Sequence, residues 1–276
     1  MVESSVKGNR LPQQRILQRY RCTIGLLALL CLPCSLNAED PRPAAAPAPR
    51  IALLNPLGVP VGQKTRLVLR GWALKDASAV ISGHPEVQIS VVSHGAAGVP
   101  GRQKADQIGD EQLELDVQVP ENFATGSIDV RVRTTAGESA PRRLLIGSDL
   151  PAVQEVEPND GFRQAQNVAV PGIILGSIHA DTNVDVFTFE LADPQELQIT
   201  VDAAVLGSGL DPVLTLWTAD GAILKSSDDE SGGRDAALTA MLPAAKYLIT
   251  LQDAHDRGGP AHPYRLTIRN VLPARP

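Results

Sequence analysis

In Leu113-Glu114-Leu115-Asp116-Val117-Gln118-Val119, apolar and polar residues alternate with a period of two. In an extended chain that period sends successive side chains to opposite faces, so one face is buried and the other wet. The same period recurs in Ile128–Val132, in Leu197-Gln198-Ile199-Thr200-Val201-Asp202 and in Tyr264-Arg265-Leu266-Thr267-Ile268. Each stretch reads as a strand of an antiparallel sheet with one face on a core. No window carries a comparable stripe at helical spacing, which predicts an all-β chain. The 23 glycines and 22 prolines agree, because they favour turns and oppose long helices.

Working outward, a break after Arg142–Ile146 falls near Gly147 to Gln154 and divides the pattern into 51–147 and 150–272. Both pieces are close to the ~100 residues of an immunoglobulin-like sandwich. Two tandem antiparallel β-sandwiches are therefore expected. Asp220-Gly221, between two apolar runs, predicts a tight hairpin turn. Ser93 to Asp110, rich in glycine and charge, reads as a long mobile loop. Trp72, Trp217, Tyr247 and Tyr264 are expected to pack in the cores.

The N-terminus reads as an address. Lys7, Arg10, Arg15, Arg19 and Arg21 precede the apolar run Ile24–Leu32, and Ala38 precedes Glu39-Asp40. This is the build of a secretory signal peptide over 1–38, with an uncleaved anchor as the alternative. The run falls short of the ~20 apolar residues that span a bilayer, and no second long apolar run follows, which excludes a polytopic membrane protein. Residues 39–50 form a Pro/Ala-rich linker of extended character. The predicted location is secreted, or periplasmic and cell-envelope.

All three cysteines, Cys22, Cys31 and Cys34, lie in the leader. A cleaved chain thus has no disulfide to use in a compartment that permits them. Cleavage also removes five basic residues and one acid, taking the formal charge from −6 to −10. The acidic balance predicts no nucleic-acid partner. A strongly acidic chain without disulfides needs another staple, and calcium is the natural candidate.

Glu155-Val156-Glu157-Pro158-Asn159-Asp160 opens a series continued by Gly176-Ser177-Ile178, Asp185-Val186-Phe187-Thr188-Phe189, Leu210-Asp211-Pro212, Asp228-Asp229 and Tyr247-Leu248-Ile249. In this order the series resembles the bacterial pre-peptidase C-terminal (PPC) domain over residues 153–270. The preceding piece carries Asn55-Pro56, Gly62, Leu69-Arg70-Gly71 and Ala73-Leu74. It resembles the immunoglobulin-like IPT/TIG fold, as in secreted proteins of planctomycete-type bacteria. The PPC resemblance implies a jelly-roll-like sandwich that accompanies secreted peptidases or large surface proteins. It also implies calcium held by Glu155, Glu157, Asn159 and Asp160, with Asp185 and the carbonyl of Gly176 or Ser177 as companions. The pattern for a second ion is incomplete, because Thr182 stands where the related collagenase pattern has an acid. Asp181 and Asn183 flank it.

The chemistry of these residues points the same way. Calcium takes six to eight oxygen ligands, and Glu155, Glu157 and Asn159 alternate, as do Asp181, Asn183 and Asp185. If the two segments meet, five carboxylates crowd together and a divalent ion turns their repulsion into a clamp. The plainer reading is that Asn159 or Asp160 caps a turn and the acids are solvated. Asp228-Asp229-Glu230 reads as a solvated loop.

Catalytic signatures are lacking: the sequence has no HExxH pair, no GxSxG elbow, no cysteine nucleophile in the mature chain and no phosphate-cradling glycine loop. His255 and His262, around Gly258-Gly259-Pro260, read as surface residues of a hairpin loop. The expectation is a non-enzymatic exported binding or adhesion module. Its partner would be an extracellular polysaccharide, a protein fibre or a cell-surface protein. An accessory chain of a separate secreted peptidase, or a hydrolase with an unrecognised site, are the competing readings.

Overall fold

Residues 46–229 and 232–271 are described by a computed structural model. The leader over 1–38 with its cysteines, most of the 39–50 linker and Glu230 lie outside the described residues. The first half contains β1 (Arg50–Asn55), β2 (Gly58–Val59), β3 (Lys64–Trp72), β4 (Ala79–Ser82) and β5 (Gln88–Ala96). A helical turn, α1 (Ala105–Ile108), leads into β6 (Glu111–Gln118), β7 (Gly126–Thr134), β8 (Gly137–Glu138) and β9 (Arg142–Ile146). They form one sheet ordered β1-β3-β6-β5 and a second ordered β2-β9-β7-β4.

The second half begins with β10 (Ala152–Gln154), β11 (Gln166–Asn167), β12 (Gly172–Ser177), β13 (Val184–Glu190) and β14 (Gln195–Asp202). It continues through β15 (Pro212–Thr218), β16 (Ile223–Ser227), β17 (Ala237–Leu242), β18 (Lys246–Asp253) and β19 (Pro263–Asn270). Two five-stranded sheets result, β10-β12-β19-β14-β17 and β11-β13-β18-β15-β16. The fold is all-β, as the period of two requires.

Each pair of sheets closes on its own core. Leu67, Leu69, Leu113, Leu115 and Val117 meet Ile128, Val130, Val132 and Leu144 in the first. Ile199, Val201, Leu266 and Ile268 meet Phe187, Phe189, Leu214, Leu216 and Ile249 in the second. The Asp220-Gly221 hairpin is present, with Gly221 at φ +90°, which glycine adopts without steric cost. Pairing is not wholly antiparallel: β2 runs parallel to β9, β10 to β12 and β11 to β13. These are two- and three-residue edge pairings reached after long crossovers, the kind of connection that parallel neighbours need.

The segment Ser93–Asp110, expected to be a mobile loop, is built differently. Strand β5 runs through Ala96, and α1 occupies Ala105–Ile108. Arg70, 2% exposed, anchors the segment: its Nε donates to Ile108 O at 2.7 Å, and its Nη2 to Gly98 O at 2.5 Å and Gly109 O at 2.9 Å. Three carbonyls take the place of water around a buried cation, which makes removal of the cation costly. Replacing Arg70 with methionine is expected to cost about 3 kcal/mol, seen as a lower urea midpoint at unchanged slope. Trp72, expected in the core, is half-buried; its Nε1 donates to Ala105 O at 2.6 Å and Arg50 lies 4.2 Å over its ring.

The same segment docks on the second half of the chain. Arg102 donates to the carbonyls of Asp256 (2.9 Å) and His255 (3.0 Å), and Gln103 Nε2 to Gly258 O (2.8 Å). Leu53, Ile108 and Ala261 form a small apolar cluster at this junction.

Candidate metal centre

Asp185 is in phase with Phe187 and Phe189 on β13, and those two side chains enter the core. The strand period therefore turns the Asp185 carboxyl inward too, at the end of the sandwich. Tyr264 on β19 is in phase with Leu266 and Ile268 and enters the same core from the opposite sheet. The two meet: Tyr264 Oη donates to Asp185 Oδ2 at 2.6 Å, and the aspartate is fully buried.

The segment after β10 closes over this end. Glu155 N donates to Leu175 O, and Val186 N to Asn159 O, so the backbone is held at both ends of the acidic stretch. Glu155 Oε2 accepts from Ser177 N at 2.7 Å, and its Oε1 lies 3.1 Å from Tyr264 Oη. Asn159, fully buried, donates from Nδ2 to Glu155 Oε1 at 2.9 Å, and its backbone N–H donates to Glu157 Oε2 at 3.0 Å. Carboxylate oxygens of Glu155, Glu157 and Asp185 lie within 4.8 Å of one another. Gly176 gives them room: a Cβ there would come within 2.6 Å of Glu155 Oε2 and would also strike Tyr264.

Two buried oxygens of this cluster, Asp185 Oδ1 and Asn159 Oδ1, have no hydrogen-bond donor among the described residues. Unpaired buried acceptors are costly, so each calls for a partner, which an ion, a proton on the carboxyl or a bound water can supply. Burial first, then Glu155 next to it, pushes the Asp185 carboxyl up to about 10, and Glu157 adds to the effect while the Tyr264 hydroxyl opposes it. Burial and the two carboxyls likewise push the Tyr264 phenol well above its ordinary value.

The structure thus gathers Glu155, Glu157, Asn159 and Asp185. Ser177 joins through its backbone N–H to Glu155. Asp160 lies on the outer side, where its Oδ1 accepts from Asn183 Nδ2 at 2.6 Å. It forms a second, exposed group with Glu157 and His179, in which His179 Nδ1 pairs with Glu157 Oε1. Asp181 is engaged elsewhere, accepting from Gly258 N at 3.1 Å and facing Arg102 at 3.8 Å. The strand phase that brings Asp181 and Asp185 to one side is broken at Thr182, whose φ is +64°.

Sequence reasoning missed Tyr264 as a partner of the acids and His179 as a neighbour of Glu157. For Tyr264 the signal was present: an acid in phase with two core phenylalanines needs a buried polar partner. His262 was read as a surface residue and is 1% exposed, because Pro263–Asn270 carries it into the junction as β19 begins.

No family model matches the chain, and no curated protein does. Among solved structures, it is similar to the pre-peptidase C-terminal domain of a collagenase from Bacillus anthracis. Identity is 17%, with 42% of this chain and all of that one covered, at a TM-score of 0.33. PliG of Aeromonas hydrophila, a periplasmic inhibitor of g-type lysozyme, is 15% identical over 44% of this chain and 96% of its own, at 0.28. SGBP-B from a xyloglucan utilization locus of Bacteroides uniformis is 11% identical over 82% and 74%, at 0.27. The fold is defined by the chain's own sheets and cores.

Proposed function

We propose that this chain is an exported, non-catalytic binding module in which one calcium ion, held by Glu155, Glu157, Asn159 and Asp185, fastens the 155–163 segment across the end of the second sandwich. The observation that carries this reading is the pair of buried oxygens, Asp185 Oδ1 and Asn159 Oδ1, that have no donor among the described residues and lie beside two further carboxylates. All of the donors are oxygens, which suits a hard cation such as calcium and does not suit a thiophilic metal. Backbone carbonyls and water would complete the six to eight ligands that calcium takes. The outer group of Glu157, Asp160 and His179 includes an imidazole, which argues for a single calcium.

The clamp has a use beyond stability. Three residues past Asn159, Phe162 is 43% exposed and packs edge-on against Trp217, with ring centroids 5.4 Å apart. Trp217 is half-buried, its Nε1 donates to Thr250 Oγ1 at 3.0 Å, and its strand partner Ile223 is 60% exposed. An aromatic and aliphatic face of this kind suits the flat apolar faces of sugars or the side chains of a protein fibre. Because Phe162 belongs to the clamped segment, the ion would set the shape of the face. The partner is an extracellular polysaccharide or protein surface.

The test is retention on insoluble polysaccharide and fibrous collagen in calcium and in chelator. Binding is expected in calcium, reduced at least ten-fold by chelation and by Phe162→Ala. Retention unaffected by either treatment would reject this face as the binding surface.

A further inference from the structure

The junction between the two sandwiches holds a cavity of about 310 Å³, near the lower size of ligand pockets. Its floor includes Leu53 and Ile108, and its polar wall includes Gln103, His262, Arg257 and the exposed Arg234. Among the described residues, no carboxylate lines it, although the chain is acidic overall.

Its polar groups lack partners in a definite pattern. His262 is 1% exposed, and neither ring nitrogen has a hydrogen-bond partner among the described residues. Gln103 spends its Nε2 on Gly258 O, and its buried Oε1 has no donor among the described residues. Arg142 lies next to Gly207, a wall residue, without lining the cavity itself; its Nη2 donates to Ile51 O at 2.9 Å, and its buried Nε has no acceptor among the described residues. Arg257 is held by the buried Asp253, with Nε 3.2 Å from Oδ1 and Nη2 3.5 Å from Oδ2, which leaves the exposed Arg234 as the freer cation of the wall. Burial holds the His262 imidazole below its ordinary pKa, so at neutral pH it offers one donor and one acceptor.

An occupant matching the groups that line the cavity brings acceptors for Arg234, Arg257 and one imidazole N–H, and hydroxyl donors for Gln103 Oε1 and the other imidazole nitrogen. A simple anion meets only the first demand, and a neutral sugar lacks the charge that suits Arg234 and Arg257. We propose that the junction cavity is a binding site for a small hydroxylated carboxylate of sugar-acid type, whose carboxylate faces the arginines and whose hydroxyls face Gln103 and His262. The occupant would touch both sandwiches and couple them. This inference is independent of the cation site and of the aromatic face.

The experiment uses the full chain with D-galacturonate as probe, and with acetate and D-galactose as controls for charge and for hydroxyls. Thermal shift and the ring ¹H–¹⁵N signals of His262 are followed together. Galacturonate at about 10–20 mM, suited to a weak monosaccharide site, is expected to raise the melting temperature by a few degrees and to move the His262 signals. Neither control should do so. Arg234→Ala, on the exposed rim, is expected to weaken galacturonate about ten-fold without changing the melting temperature in its absence. A flat response to galacturonate, an equal response to either control, or an unchanged affinity in Arg234→Ala would overturn the proposal.

Discussion

Calcium added to the chelated protein is expected to raise its melting temperature by about 10 °C. An ion at a hundred times its dissociation constant stabilises the folded state by about 2.7 kcal/mol, and each kcal/mol is worth roughly 2–8 °C for domains of this size range. The ion would replace the repulsion among Glu155, Glu157 and Asp185 with attraction. Local protection should accompany the global shift. Val153 and Val156 are 42% and 63% exposed, so the chain around them is open to proteases when the clamp is released. Limited proteolysis should cut within 150–160 in chelator and spare that segment in calcium. Magnesium should substitute poorly, since it demands a smaller and more regular cage. An unchanged melting temperature at millimolar calcium would remove the clamp from this account.

Asp185→Asn should change stability in opposite directions with and without calcium. In chelator, the raised pKa of Asp185 means that the folded state keeps a proton which the unfolded chain releases above its ordinary carboxyl range. That contribution is complete at low pH and is lost as pH rises toward about 10. The wild-type protein in chelator should therefore lose stability with rising pH, by up to about 1.4 kcal/mol per unit. An asparagine carries no titrating carboxyl, so Asp185→Asn should flatten this slope and melt higher than wild type at pH 8 in chelator. In calcium the order should reverse, because the variant lacks a charged ligand. Denaturation curves at pH 5, 6.5 and 8 in both conditions test this. A variant less stable than wild type at pH 8 in chelator would show that the buried carboxylate is balanced by groups other than those described.

Strand periodicity made the cores legible. Leu113–Val119, Leu197–Val201 and Tyr264–Ile268 show it most plainly, because one-sided burial leaves its mark on every second residue. Glu155, Glu157, Asn159 and Asp185 could be gathered from their spacing and their resemblance to a known pattern. The sequence did not show that Asp181 faces Gly258 and Arg102, since the backbone turns at Thr182 through a positive φ that threonine rarely adopts. Nor did it show Arg70 as an anchor, because a buried arginine on a strand reads as an ordinary wet-face residue until three carbonyls are seen around it. His262 escapes a local reading for a related reason: its glycine-rich surroundings signal a turn, whereas it lines the junction cavity with residues far from it in sequence, Leu53, Gln103, Ile108 and Gly209 among them. Local pattern reports which face of a strand is dry. It does not report which other segment covers the end of a sandwich.

The most direct measurement is an anomalous difference map from crystals of the full chain grown with calcium. The account predicts one peak, within about 2.3–2.6 Å of Asp185 Oδ1 and Asn159 Oδ1 and in contact with Glu155 and Glu157. Density that places these four side chains on a proton network with no ion, while calcium sits elsewhere or nowhere, would contradict it.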